Sequence, residues 1–190
     1  MVTATPTLRM VATFTVDLEW PDSALVSPDQ WGQCDAGALT ATSVLLGKLN
    51  HAKVKARFYV LGYIAERWPE FIRQIAQSGH QLGSHGYWHA REEHEGDLFD
   101  QRTRALLPSC EGYRSPYWST TPRPGWSGGV FFRTLPYQWL KWEIERSGIF
   151  WIHPHDLYHA QVGPLRRRVF FCDPWKRLDR LLAEVDFTHV

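Results

Sequence analysis

Short apolar runs rich in β-branched and aromatic residues alternate with helix-spaced segments along this chain, and that alternation limits the fold most. "LRMVATFTVDLEW" (residues 8–20) reads as a buried strand that turns polar at its C-terminal end. "GALTATSVLLGKLNHA" (37–52) has helical spacing, and "VKARFYVLG" (54–62) is the next strand. "YIAERWPEFIRQIAQSGH" (63–80) reads as helix stopped at Gly79, with Pro69 able to begin a second helix after a short one. "HQLGSH" (80–85) is a short strand, "REEHEGDLFDQRTRALL" (91–107) a polar helix, and "CEGYRSPYW" (110–118) a strand entering the Pro/Gly-rich connection 119–129. "FFRTLPYQWLKWEIERSG" (131–148) returns to helix and "IFWIHPHD" (149–156) to strand. "RRVFF" (167–171), "PWKRLDRLLAEV" (174–185) and "DFTHV" (186–190) close the chain as strand, helix and strand. Such an order implies βαβ units and a mainly parallel α/β sheet, open or closed into a barrel. With 190 residues and no repeat or low-complexity tract, residues 1–190 are expected to form one domain.

Several function classes are disfavoured by composition. The formal net charge is +1, and the densest basic cluster, Arg166–Arg168, is only three residues long. That is a solvated strand edge rather than a nucleic-acid footprint. No stretch approaches the roughly 18 apolar residues of a membrane span, and "MVTATPTLRM" lacks the basic and apolar regions of a secretory leader. Cys34, Cys110 and Cys172 are odd in number and widely spaced, so neither a disulfide framework nor a thiolate zinc site is expected. A cytoplasmic setting follows as the expectation. Ten tryptophans suit carbohydrate stacking, although large cores use them too.

In folds of this kind, catalytic groups collect at the C-terminal ends of strands. Four polar clusters stand there. In "TVDLEW", Asp17 and Glu19 are two apart, so both carboxylates can face one site while Leu18 packs behind. In "SHGYWH", His85 and His89 are four apart; on one helical turn they would share a face and reach one ion. "GYRSPYW" brings Arg114, a fixed cation, beside Pro116, which stiffens the loop, and "WIHPHD" brings His153 at the end of an apolar run. Each alone has a plainer reading as a solvated strand end, a surface arginine or a satisfied core histidine. Together they supply the parts of metal-assisted hydrolysis of an amide or ester. Two histidines and a carboxylate leave a fourth zinc position for water. A second carboxylate can serve as base, and another histidine can protonate the leaving amine.

These motifs, in this order, resemble the polysaccharide deacetylases of carbohydrate esterase family four, the NodB-homology domain. "TVDLEW", "SHGYWH" and "GYRSPYW" are similar to its first three motifs, and "WIHPHDL" to its final one. "GGVFFRTLPY" is similar to a segment of the exopolysaccharide-biosynthesis branch. The resemblance implies a distorted (β/α) barrel and a carbohydrate N-deacetylase that removes acetyl from an amino sugar of a polysaccharide or its lipid-linked precursor. It implies Asp17 as general base, Arg114 as the residue orienting it, and His153 as general acid. His85 and His89 become ligands of one divalent ion, with zinc expected. The family's metal-binding Asp falls at Leu18, which cannot ligate, so the third ligand is assigned to Glu19. Tyr117, Trp88 and His155 are expected to contact substrate, His155 replacing a family Trp beside the acyl group. The intervals from His89 to Arg114 and from Tyr117 to Gly128 are short for the family, as in a barrel lacking one or two βα units. A deformylase of a lipid-linked amino sugar needs the same machinery. A non-catalytic glycan-binding domain would explain the shortened middle.

Overall fold

A computed structural model describes residues 11–19, 35–89, 96–123, 125–157 and 173–187. The strand expected at 167–171, the Arg166–Arg168 cluster, Cys34 and Cys172 lie outside the described residues. Four strands, β1 (Thr13–Leu18), β2 (Ala56–Val60), β3 (Gln81–Ser84) and β4 (Ile149–Ile152), form one parallel sheet in the order β3-β2-β1-β4. Helices α1 (Asp35–Ala52), α2 (Gly62–Arg67), α3 (Pro69–Gln77) and α4 (Gly96–Leu106) belong to the first three βα units. Then come α5 (Val130–Thr134), α6 (Tyr137–Ser147), α7 (Pro154–Leu157) and α8 (Pro174–Glu184). The expected α/β architecture is present, and among the described residues the barrel is incomplete.

Several elements depart from the simplest reading of the sequence. The strand at 110–118 shrinks to a single pairing of Tyr113 with Ser84, because Gly112 (φ 85°) precedes it and Pro116 follows. The helix at 131–148 splits into α5 and α6 at Pro136; the residue before a proline is driven out of the helical region, and Leu135 is extended. At 63–80, Trp68 separates α2 from α3, with Pro69 in the first turn of α3, the alternative that the sequence allowed. The C-terminal strand is likewise reduced, among the described residues, to a pairing of Phe187 with Ala12.

The two-residue period of β1 organises the molecule. Phe14, Val16 and Leu18 are fully buried and share a face with Ala56, Phe58 and Val60 of β2 through the parallel register. Each large apolar side chain on this face contributes about 1.5–3 kcal/mol by burial. The opposite face carries Thr15 and Asp17, also buried, beside Tyr59 and Trp151. Polar groups therefore lie beneath this face, and the core lies on the other. Gly83 makes room for the arrangement, since a Cβ there would meet the Tyr59 ring at 2.8 Å.

His80 fastens the start of β2, where its Nδ1 accepts a hydrogen bond from the Ala56 N–H at 3.1 Å. Burial, assisted by the nearby Lys55 charge, pushes the imidazole down from 6.5 to about 4. The folded protein thus binds this proton less readily than the unfolded chain does, so acid favours unfolding. Stability from this group is full above pH 6.5 and is lost progressively towards pH 4. His80→Asn, which keeps an acceptor near Nδ1 but cannot titrate, is expected to flatten the fall of the urea midpoint across that window. Identical slopes in both proteins would remove His80 as the cause.

Candidate active site

Backbone hydrogen bonds at the strand ends set the site. The His85 N–H donates to the Val60 carbonyl at 2.9 Å, which carries the β2–β3 pairing one residue past β3. The Arg114 N–H donates to the Ser84 carbonyl at 3.0 Å and brings the third motif alongside. The chain then curls rather than forming a helical turn. Gly86 has φ 73°, and its carbonyl accepts from Gly62 N–H and the Thr103 hydroxyl. His89, with φ 54°, turns back toward His85, and the two rings lie 5.3 Å apart. The helical spacing expected of this pair is corrected: a loop pinned to α2 and α4 brings the imidazoles together.

Glu19, directly after β1, lies at the centre. Its Oε2 is 2.5 Å from His89 Nε2 and 3.4 Å from His85 Nε2, and its Oε1 is 3.6 Å from His153 Nε2. His85 Nδ1 lies 2.7 Å from the Arg114 carbonyl, which can only accept, so Nδ1 carries the proton and Nε2 presents its lone pair. Glu19 Oε2 is buried and has no well-formed hydrogen bond. Acceptors converging in a buried space fit a divalent cation, and Glu19, His85 and His89 offer three ligand atoms within 4.8 Å of one another. Burial opposes ionisation of Glu19, but the neighbouring His89, His153 and His85 outweigh it and hold the carboxyl well below its usual range.

Asp17 faces a different partner. Arg114 Nη1 donates to Asp17 Oδ1 at 2.5 Å and Nη2 to the Thr15 hydroxyl at 3.0 Å, with all three residues buried. The guanidinium also lies over the Tyr59 ring at 4.1 Å and the Trp118 ring at 4.7 Å. Thr15, Tyr59 and Trp118 are site residues that sequence reasoning missed, although Thr15 stands two before Asp17 on the same face of β1.

The final motif also turns sooner than expected. The strand ends at Ile152, and α7 begins at Pro154. Asp156 Oδ2 then accepts from both the backbone N–H and Nδ1 of His153, each at 2.9 Å. Burial opposes a charge on His153, but Glu19 and Asp156 outweigh it and raise the imidazole to about 9. His155 reaches the same place through the helical turn, not through strand alternation. Its ring stacks on His153 at 4.5 Å and 9°, and burial, reinforced by His153, lowers it to about 4. Asp156, the carboxylate that orients His153, is a further site residue that sequence reasoning missed.

The expected substrate contacts divide. Tyr117 is 43% exposed, and its ring centroid is 4.5 Å from that of His89, so it stands on the rim of the cluster. Trp88 instead packs against Tyr63 and Tyr87, with ring centroids 5.4 and 4.5 Å away, and joins the edge of the core. The curl that points His89 at Glu19 sends its neighbour toward α2.

Comparison with known proteins places this geometry. The profile of the family described as polysaccharide deacetylase matches residues 33–113, which include His85 and His89 and stop before Arg114. A peptidoglycan-N-acetylglucosamine deacetylase of Bacillus cereus is 35% identical over 92 residues, covering 44% of this chain and 34% of that one. A second protein of that name and organism is 24% identical over 141 residues, covering 66% of this chain and 64% of the other. The chain thus spans less than two thirds of either relative. Among solved structures, a family-four pseudoenzyme of Bacillus anthracis aligns with TM-score 0.59 at 14% identity, over 95% of this chain and 63% of that one. A peptidoglycan deacetylase of Bacillus subtilis aligns with TM-score 0.57 at 14% identity, over 95% and 87%. An enzyme and a pseudoenzyme share the fold, so the fold does not decide activity and the residues must.

The buried Asp17–Arg114 pair yields a stability prediction. Removing one member leaves the other charge uncompensated, at a cost of about 3–5 kcal/mol. Arg114→Met is expected to lower the unfolding free energy in urea by that order. Adding Asp17→Asn should recover part of the loss, whereas strictly additive effects would mean that the two side chains are uncoupled.

Proposed function

We propose that this chain, a shortened member of the polysaccharide deacetylase family, is a metal-dependent hydrolase that removes the N-acetyl group from an amino sugar of a glycan or its lipid-linked precursor. The observation carrying this reading is the convergence on Glu19: Oε2 faces His85 and His89, and Oε1 faces His153. Glu19, His85 and His89 hold the divalent ion, with zinc the expected one. When bound, such an ion polarises the acyl carbonyl and makes water more acidic.

The remaining steps belong to side chains. Asp17, fixed by Arg114, takes the proton from the attacking water as the new C–O bond forms. His153 gives its proton to the sugar nitrogen as the C–N bond breaks, so acetate and a neutral amine leave. Asp156 holds the far nitrogen of His153, which keeps Nε2 directed at the site. An amide needs this acid, because an amide anion is a poor leaving group at neutral pH. Tyr117 on the rim supplies an aromatic face for the sugar. The cytoplasm remains the proposed setting; no helix among the described residues is long and apolar enough to cross a membrane.

The direct test is acetate and formate release from N-acylated glucosamine oligomers by metal-stripped protein, with and without added zinc. Zinc-dependent acetate release is expected. Formate release alone would transfer the reading to a deformylase, and no release from any N-acylated oligomer would overturn it.

The two carboxylates are expected to separate. Glu19→Ala should lose zinc on dialysis, and Asp17→Asn should keep it while turnover stops. Equal metal loss in both would make Asp17 a ligand. His153→Ala should lower kcat about 10²–10⁴-fold with zinc content intact. It should also abolish the alkaline limb of the pH–rate profile, where loss of the acid's proton ends catalysis. If His155→Ala abolishes that limb instead, His155 is the acid.

A further inference from the structure

We propose that His153 and His155, together with Glu19, form a second and weaker divalent-cation site whose occupation disables the acid. The proposal rests on the reading of Glu19, His85 and His89 as the first metal site. Its starting point is that the two oxygens of Glu19 face different histidine pairs. Oε2 is turned to His85 and His89, whereas Oε1 is 3.6 Å from His153 Nε2. One ligand atom each from Glu19, His153 and His155 lie within 4.8 Å of one another, as do those of the first set.

The surroundings of these histidines are those of ligands. Asp156, 1% exposed, accepts from His153 Nδ1 and stands 3.6 Å from Arg133. A carboxylate on the far nitrogen fixes a histidine's tautomer and direction toward a metal. His155 lies parallel to His153, with ring centroids 4.5 Å apart. Its Nδ1 is buried and has no hydrogen-bond partner among the described residues. One carboxylate can bridge two ions roughly 3.5–4 Å apart, as two-metal centres do.

The consequence for catalysis follows from atom balance. An ion on His153 Nε2 displaces its proton to solvent and occupies the lone pair. The departing amine then has no donor, so excess zinc inhibits while the first site stays loaded. Zinc is therefore both required and, at higher concentration, inhibitory.

The test is calorimetric titration of metal-stripped protein with zinc alone, with bound metal counted after equilibrium dialysis. Wild type is expected to bind two equivalents, the second more weakly. His155→Phe, which preserves a stacked ring, should lose the second step only; its retained first step shows that the variant is folded. Asp156→Asn should weaken the second step about 10–100-fold, the usual effect of losing a supporting carboxylate. A variant lacking both His85 and His89 should lose the tight step and keep the weak one. One equivalent in wild type, kept by His155→Phe and lost without His85 and His89, overturns the second site and leaves the first intact. One equivalent lost by His155→Phe but kept without His85 and His89 overturns both assignments. Two equivalents retained in His155→Phe overturn the role of His155 and with it the proposal.

Discussion

Burying the Glu19 carboxylate dictates most of what surrounds it. A buried charge without compensation costs many kcal/mol, so the fold must bring partners to it or leave it protonated. Here the partners are three imidazoles from two distant stretches: His85 and His89 after β3, and His153 after β4. Those strands lie on opposite sides of β1 in the sheet, which is why β1 occupies an inner position. The parallel register puts all of these strand ends at the same edge, where crossover connections leave room for a site. Without that order the same residues would not meet.

Arg114 ties the second carboxylate to the same frame. Its backbone carbonyl fixes the tautomer of His85, while its guanidinium holds Asp17 and Thr15. One residue therefore supports both the proposed ligand His85 and the proposed base Asp17. The loop that carries it adopts conformations side chains rarely accept: Tyr117 and Trp118 have φ 54° and 57°, and His89 facing them has φ 54°. Such backbone persists where packing over-determines it, and here the Arg114–Trp118 and His89–Tyr117 ring contacts do so. Ser115 adds to the hold by accepting from the N–H groups of Thr120 and Thr121.

The parallel sheet was legible from the alternation of strand and helix patterns, and the shared side of Asp17 and Glu19 from the two-residue period of a strand. Four motifs in order then carried the resemblance to a known family, and the partners of Asp17 and Glu19 were expected from it. What failed was backbone direction over short loops. The i, i+4 spacing of His85 and His89 suggested a helix, but Gly86 and the bond from Gly62 to its carbonyl impose a curl. That curl also packs Trp88 against Tyr63 and Tyr87, which spacing alone could not reveal. Residues 149–156 were expected as strand throughout, but Pro154 starts a helix, and that turn stacks His155 on His153. Asp156 escaped notice because its role depends on that helix, which returns it to His153 three residues back. Splitting 131–148 at Pro136 was foreseeable from the proline itself, and its apolar periodicity masked the break.

Two carboxylates, one in β1 and one just past its end, acquire separate partners through reach and surroundings. Asp17 is short, lies inside β1, and meets a fixed cation already stacked between two aromatic rings. Glu19 stands just beyond the strand end, and its extra methylene carries it past the Arg114 layer to the imidazoles. Leu18 between them is fully buried in the opposite face, so an adjacent carboxylate pair could not serve this backbone without one member entering the core. The D-x-E spacing is thus the arrangement the pleat permits once position 18 belongs to the core. Environment then separates a charge paired with guanidinium from one facing neutralisable nitrogens, the division by which two carboxylates come to do different work.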